Sequence, residues 1–179
     1  MTNNERSDVG VKVTDDTLDR VLGLAPGSPL YELRQQRTKV VNATQASENL
    51  LIGSPIEGLS EHDRLLVALL ACTLTPAPEL ALEYRSRLEG LGASASLIDA
   101  VISGQHQMIV DRRLRSMLTF TQTLITDPVK ADRQALLSLK DSGLSTPQIT
   151  ALAQLIAFVS YQVRVFAGLS AFKASGDVA

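Results

Sequence analysis

Apolar residues recur at steps of three and four along most of the chain, the spacing that lays side chains along one side of an α-helix. The clearest run is near the end: Ile149, Leu152, Ile156, Val159, Val163 and Phe166. Leu155, Phe158, Val165, Leu169 and Phe172 make a second apolar face on the same segment. Ser145 or Thr146 can cap this helix, and Pro147 suits its first turn. One face can pack on a core, while the other asks for cover from another helix or another subunit.

The same reading predicts helices at 15–24, 29–50, 60–74, 78–90, 93–104, 111–125 and 131–143. Ser28 and Pro29 mark one start, and "IGSPIEG" at 52–58 reads as a turn. In the 60–74 segment, Leu65, Leu66, Val67, Leu69 and Leu70 leave almost no polar face. Such a helix is covered on most sides, inside the monomer or by a partner. Glu83 and Arg87, four apart, are placed to pair on the surface of the next helix. No stretch alternates at strand period for long, so the fold class is all-α. Residues 1–15 are polar and predict a flexible N-terminal segment. Residues 16–173 form a single helical domain.

Composition sharpens this picture only where it excludes something. At 179 residues and 45% apolar, the chain can bury a real core. A net charge of -2 offers no basic excess for a nucleic-acid backbone. The final apolar stretch carries Gln154, Ser160, Gln162 and Arg164, which argues against a lipid-spanning helix. The opening residues lack the apolar core of a signal peptide, so the expected location is cytoplasmic. With one cysteine, Cys72, an intrachain disulfide and a multi-cysteine metal site are both excluded.

Candidate chemistry is sparse. Cys72 lies in "VALLACTL", where apolar surroundings raise a thiol pKa and make it inert. Glu79 and Glu83 share a helix face and read as solvated charges or as a paired-acid site. Tyr84 could orient a polar ligand. His62 sits in a helical first turn beside two acids and reads as a surface histidine, whereas the loop-borne His106 is the better base or ligand. The two histidines have no metal-binding spacing. Arg164 stands within apolar sequence, and a buried arginine needs a partner, so a structural ion pair is expected unless it points to solvent. No glycine-rich phosphate loop is present, and no cofactor or metal is expected.

Two stretches carry a resemblance. "GLSEHDRLLVALLACTLTPAPELALEYRSRLEGLG" and "LTFTQTLITDPVKADRQALLSLKDSGLSTPQITALAQLIAFVSYQVRVFAGLSAF" resemble the carboxymuconolactone decarboxylase and AhpD-like (alkylhydroperoxidase D-like) superfamily. The likeness spans about 20–172 and implies an all-α, AhpD-like (CMD-like) fold. Relatives of the peroxidase type carry a glutamate, a CxxC pair and a histidine four residues beyond it. With "LS" at 59–60 and "LG" at 91–92 as anchors, those positions fall on Leu65, Ala77, Leu80 and Tyr84. None has the residue the chemistry needs, and Cys72 lies outside the motif.

A peroxidatic thiol needs a resolving thiol and a proton relay. The resemblance therefore implies a homo-oligomer, trimer or trimer-based hexamer or dimer, without the CxxC redox centre. Such a protein would bind a small apolar ligand between the 60–74, 78–90 and 149–172 helices, or serve a related CMD/AhpD-like protein as an accessory subunit. An enzyme alternative is a non-thiol, decarboxylase-like activity resting on Glu79, Glu83, His106 and Arg164. It requires at least two of them to meet in one enclosed pocket. A one-cysteine hydroperoxidase is the remaining alternative, and requires Cys72 exposed beside a cation.

Overall fold

The computed structural model describes residues 16–176, so the predicted N-terminal segment lies outside the described residues. Among the described residues nine α-helices follow one another: α1 Thr17–Leu22, α2 Pro29–Gln35, α3 Thr38–Glu48, α4 Glu61–Leu74, α5 Pro78–Gly90, α6 Ala95–Ile102, α7 Arg112–Thr126, α8 Arg133–Asp141 and α9 Thr146–Ser175. No strand occurs among the described residues, only one isolated antiparallel bridge between Ile56 and Leu59.

Helix α4 is the hub. Every residue from Arg64 to Cys72 is buried, because its sequence offers apolar side chains in all directions. It packs against α5, α6, α7 and α9. The helix starts cleanly: the Ser60 hydroxyl accepts from the Asp63 N–H at 3.0 Å, satisfying one of the free amides of the first turn.

The predicted single helix over 29–50 is instead two helices and a wider turn. At Arg37 the backbone leaves helical geometry (φ -115°, ψ 41°), and α3 begins at Thr38. Beyond Glu48 the chain runs on as a π-helical turn, Asn49–Gly53. Buried Arg64 braces this turn from α4. Its guanidinium donates to the carbonyls of Leu51 at 3.0 Å and Ser54 at 2.8 Å, and to its own helix at Ser60. A buried cation is costly unless its donors are met, and here neutral carbonyls meet them.

Helix α9 is 30 residues long and begins with a capping box made by Ser145 and Gln148. Its length and hydropathy would suit a membrane span, yet in the fold it packs on α1, α2, α3, α4 and α8. The Gln148 amide also donates to the Glu57 carbonyl at 3.2 Å, docking the α9 start onto the 54–59 turn. Gly58 sits there at φ +70°, and a Cβ on it would lie 2.0 Å from Gln148 Nε2. Glycine is therefore required both by the left-handed backbone and by the close approach. Arg164, expected either to pair with a carboxylate or to point to solvent, is exposed and donates to the Ser160 carbonyl at 2.7 Å. It faces out of α9, so no partner is needed.

Candidate functional site

The main polar feature of the interior is a hydrogen-bonded chain that joins α1, α3, α5 and α9. At its centre is Glu48, the last residue of α3 and 2% exposed. Glu48 Oε1 accepts from the Thr17 hydroxyl at 2.9 Å and from an Arg87 N–H at 3.0 Å. Its Oε2 accepts from the Gln162 amide at 2.7 Å. The Gln162 carboxamide oxygen in turn accepts from the Tyr84 hydroxyl. Arg87 reaches outward to Glu61 at 3.5 Å and lies 6.0 Å from the Tyr84 ring centroid. Gln45 extends the chain by accepting from the Thr17 N–H at 2.7 Å and donating to Asn49 at 2.9 Å.

Local structure explains the convergence. Helix α5 carries Tyr84 and Arg87 three apart, hence on neighbouring positions of one face. Gln45 and Glu48 are likewise three apart on α3, at the entry to the π-helical turn. Such turns rotate the side chains after them out of helical register and recur near functional sites.

The electrostatics are those of a closed network. Burial pushes the Glu48 carboxyl up, and the bonds from Thr17, Arg87 and Gln162 partly offset this. Burial, followed by the charge of Glu48, holds the Tyr84 hydroxyl well above the usual phenol range. Cys72 is 1% exposed, and burial with the neighbouring Glu48 charge pushes its thiol up to about 12. A reactive cysteine needs a positive neighbour that stabilises the thiolate. Here the neighbouring charge has the opposite sign.

The remaining sequence candidates are scattered. Glu83 pairs with Arg20 on α1, one bond measuring 2.9 Å, and this holds its carboxyl below the usual range. The expected Glu83–Arg87 pair is thus replaced, because Arg87 turns inward to Glu48. Glu79 is exposed, along a groove shared with Val21, Phe166 and Lys173. His62 lies half-buried 3.8 Å from Asp63. His106 is 1% exposed, in a short 3-10 turn packed on α6 and α7, and burial lowers its pKa. Neither of its ring nitrogens has a hydrogen-bond partner. Among Glu79, Glu83, His106 and Arg164, no two bond to each other. Tyr84 does join a network, with Gln162, Glu48 and Arg87; the sequence pointed to Arg87 and Gln162 in other roles and did not point to Glu48. The interior positions aligned with the redox motif, Leu65, Ala77, Leu80 and Tyr84, are all buried. Where an apolar ligand was expected, between α4, α5 and α9, the hydrophobic core includes the buried side chains of Leu88 and Leu155.

No protein-family model matches the sequence, and no curated protein matches it. Solved structures do match the fold. An uncharacterized peroxidase-related protein from Silicibacter sp. TM1040 aligns over 74% of this chain and 69% of its own, at 18% identity and a TM-score of 0.69. A second uncharacterized peroxidase-related protein, described as an alkylhydroperoxidase AhpD core and from Ralstonia eutropha JMP134, aligns over 73% of this chain and 68% of its own, at 16% identity and a TM-score of 0.66.

Proposed function

With the AhpD-like fold as its premise, we propose that this chain is a non-redox protein that works by binding and self-association, not by thiol peroxidation. The carrying observation is the single, buried thiol at Cys72, held protonated beside the Glu48 charge. A peroxidatic cycle begins with thiolate attack on the peroxide and ends with a second thiol or an outside reductant. At a pKa of about 12 the thiolate fraction near neutral pH is negligible. The Glu48–Gln162–Tyr84 chain offers no free general base in return, since both Glu48 oxygens already accept hydrogen bonds from Thr17, Arg87 and Gln162.

Self-association rests on the outer face of α9. Tyr161 and Phe172 are exposed there, and Leu33 and Val40 are exposed opposite them on α2 and α3. Val165 and Leu169 lie between, and together these side chains border an apolar groove of about 220 Å³. Covering such a surface is favourable at roughly 25 cal/mol per Å² of apolar area.

Two measurements separate the parts. Peroxide consumption with dithiothreitol as reductant is expected to be the same for the wild type and Cys72→Ala, and Cys72-dependent turnover would end the non-redox reading. Sedimentation is expected to give a species heavier than the 19.2 kDa chain. The double variant Val40→Glu, Phe172→Glu should return it to monomer. A wild-type monomer would remove self-association alone.

A further inference from the structure

Helices α7 and α8 diverge around a cleft of about 380 Å³ that takes no part in the Glu48 network. The apolar part of its lining is Phe120 and Ala135, and the rest is polar. Two arginines stand on it. Arg112 is exposed in the first turn of α7 and has no hydrogen-bond or ion-pair partner among the described residues. Arg115, one turn on, is anchored by a 2.7 Å bond to the Ile109 carbonyl, which fixes its guanidinium at the cleft. A fixed and a free guanidinium at (i, i+3) suit an oxyanion, because the planar fork matches carboxylate and phosphate oxygens.

The hydroxyls of the cleft add a second requirement. Thr119 donates to the Arg115 carbonyl at 2.9 Å, Thr123 to Thr119 at 2.9 Å, and Ser142 to Leu139 at 2.7 Å. Their protons are committed to the main chain, and Thr119 already accepts from the Gln107 amide at 3.2 Å, so toward the cleft the Thr123 and Ser142 oxygens are the ones left to act as acceptors. Asp141 lies on the same lining with no cation paired to it. A bare anion would meet the arginines and leave these acceptors facing it. A ligand with hydroxyl donors would satisfy both sets.

We propose that the α7–α8 cleft binds a small hydroxylated organic anion, its oxyanion held by Arg112 and Arg115 and its hydroxyls donating to the Thr123, Asp141 and Ser142 side. The site is independent of the redox question and of self-association.

The test is a titration of the full chain followed by amide nuclear magnetic resonance, with glycerate, glycerol 3-phosphate and succinate as probes. Saturable shifts in residues 112–123 and 138–142 are expected with glycerate, glycerol 3-phosphate or both, and the tighter of the two identifies carboxylate or phosphate as the preferred oxyanion. Arg112→Gln, an exposed change, is expected to weaken binding about tenfold, the loss of one charge-assisted contact. Arg133→Gln, on α8 outside the cleft, should leave it unchanged. No saturable shift with either hydroxylated probe would overturn the site. So would equal weakening by the two arginine variants, which would mark a general charge effect. Succinate binding as tightly as glycerate would overturn the role of the hydroxyl acceptors.

Discussion

Gln162 can hold its carboxamide only one way round, because the Tyr84 hydroxyl donates to its oxygen while its nitrogen donates to Glu48. Tyr84→Phe removes one donor and leaves a buried amide oxygen unmet. The expected loss is about 1–3 kcal/mol in urea unfolding. Gln162→Leu should be worse, since it leaves both the Tyr84 phenol and one Glu48 oxygen without a partner in the interior. His106 gives a pH signature. Burial holds its pKa below the ordinary value of about 6.5, so the unfolded chain takes up a proton that the native one resists. Stability is therefore unaffected by this group above about pH 6.5 and falls as pH drops from there through the folded pKa. Urea midpoints measured across that window should fall in the wild type and less steeply in His106→Phe. Sequence made Tyr84 visible as a side chain able to orient a polar ligand and Gln162 as a polar residue in an apolar helix. Glu48 was not visible, because its partners lie 31, 39 and 114 positions away. Helical period says which side of a helix is polar, not which distant residue will meet it.

Helix starts were legible because a cap or a first-turn proline is a local device: Ser145 sits where α9 begins and Pro29 where α2 begins. The break at Arg37 and the π-helical turn were not; the turn is held by a side chain from another helix. Arg64 supplies that tertiary brace. Arg64→Leu leaves the Leu51 and Ser54 carbonyls without their donor, and the expected cost is about 2–4 kcal/mol by denaturant titration. Hydrogen exchange should then rise first at 49–54. The α9 start gives a second test at this scale. Gly58→Ala combines a left-handed backbone with a clash against Gln148. Backbone alone is worth about 1–2 kcal/mol, so the thermal midpoint should fall. Gly143→Ala makes a useful comparison, because its φ is also positive while nothing lies near its missing Cβ. The difference between the two variants isolates the contact with Gln148.

At the scale of the whole molecule, the helical arrangement matches peroxidase-related structures, and the interior beside α5 holds a bonded tyrosine, glutamine and glutamate. The Glu48 bond to Gln162 also bears on the order in which the protein is made. Helices α1 to α3 leave the ribosome early, carrying a carboxylate whose partner on α9 comes 114 residues later. Until then Glu48 has only Thr17 and, later, Arg87 to meet it, so it stays in water and α3 cannot seat. Closing so long a loop is slow and comes late in folding. Nascent chains stalled before residue 146 should therefore remain open to protease within α1 to α3, and protection should appear only once Gln162 has cleared the exit tunnel.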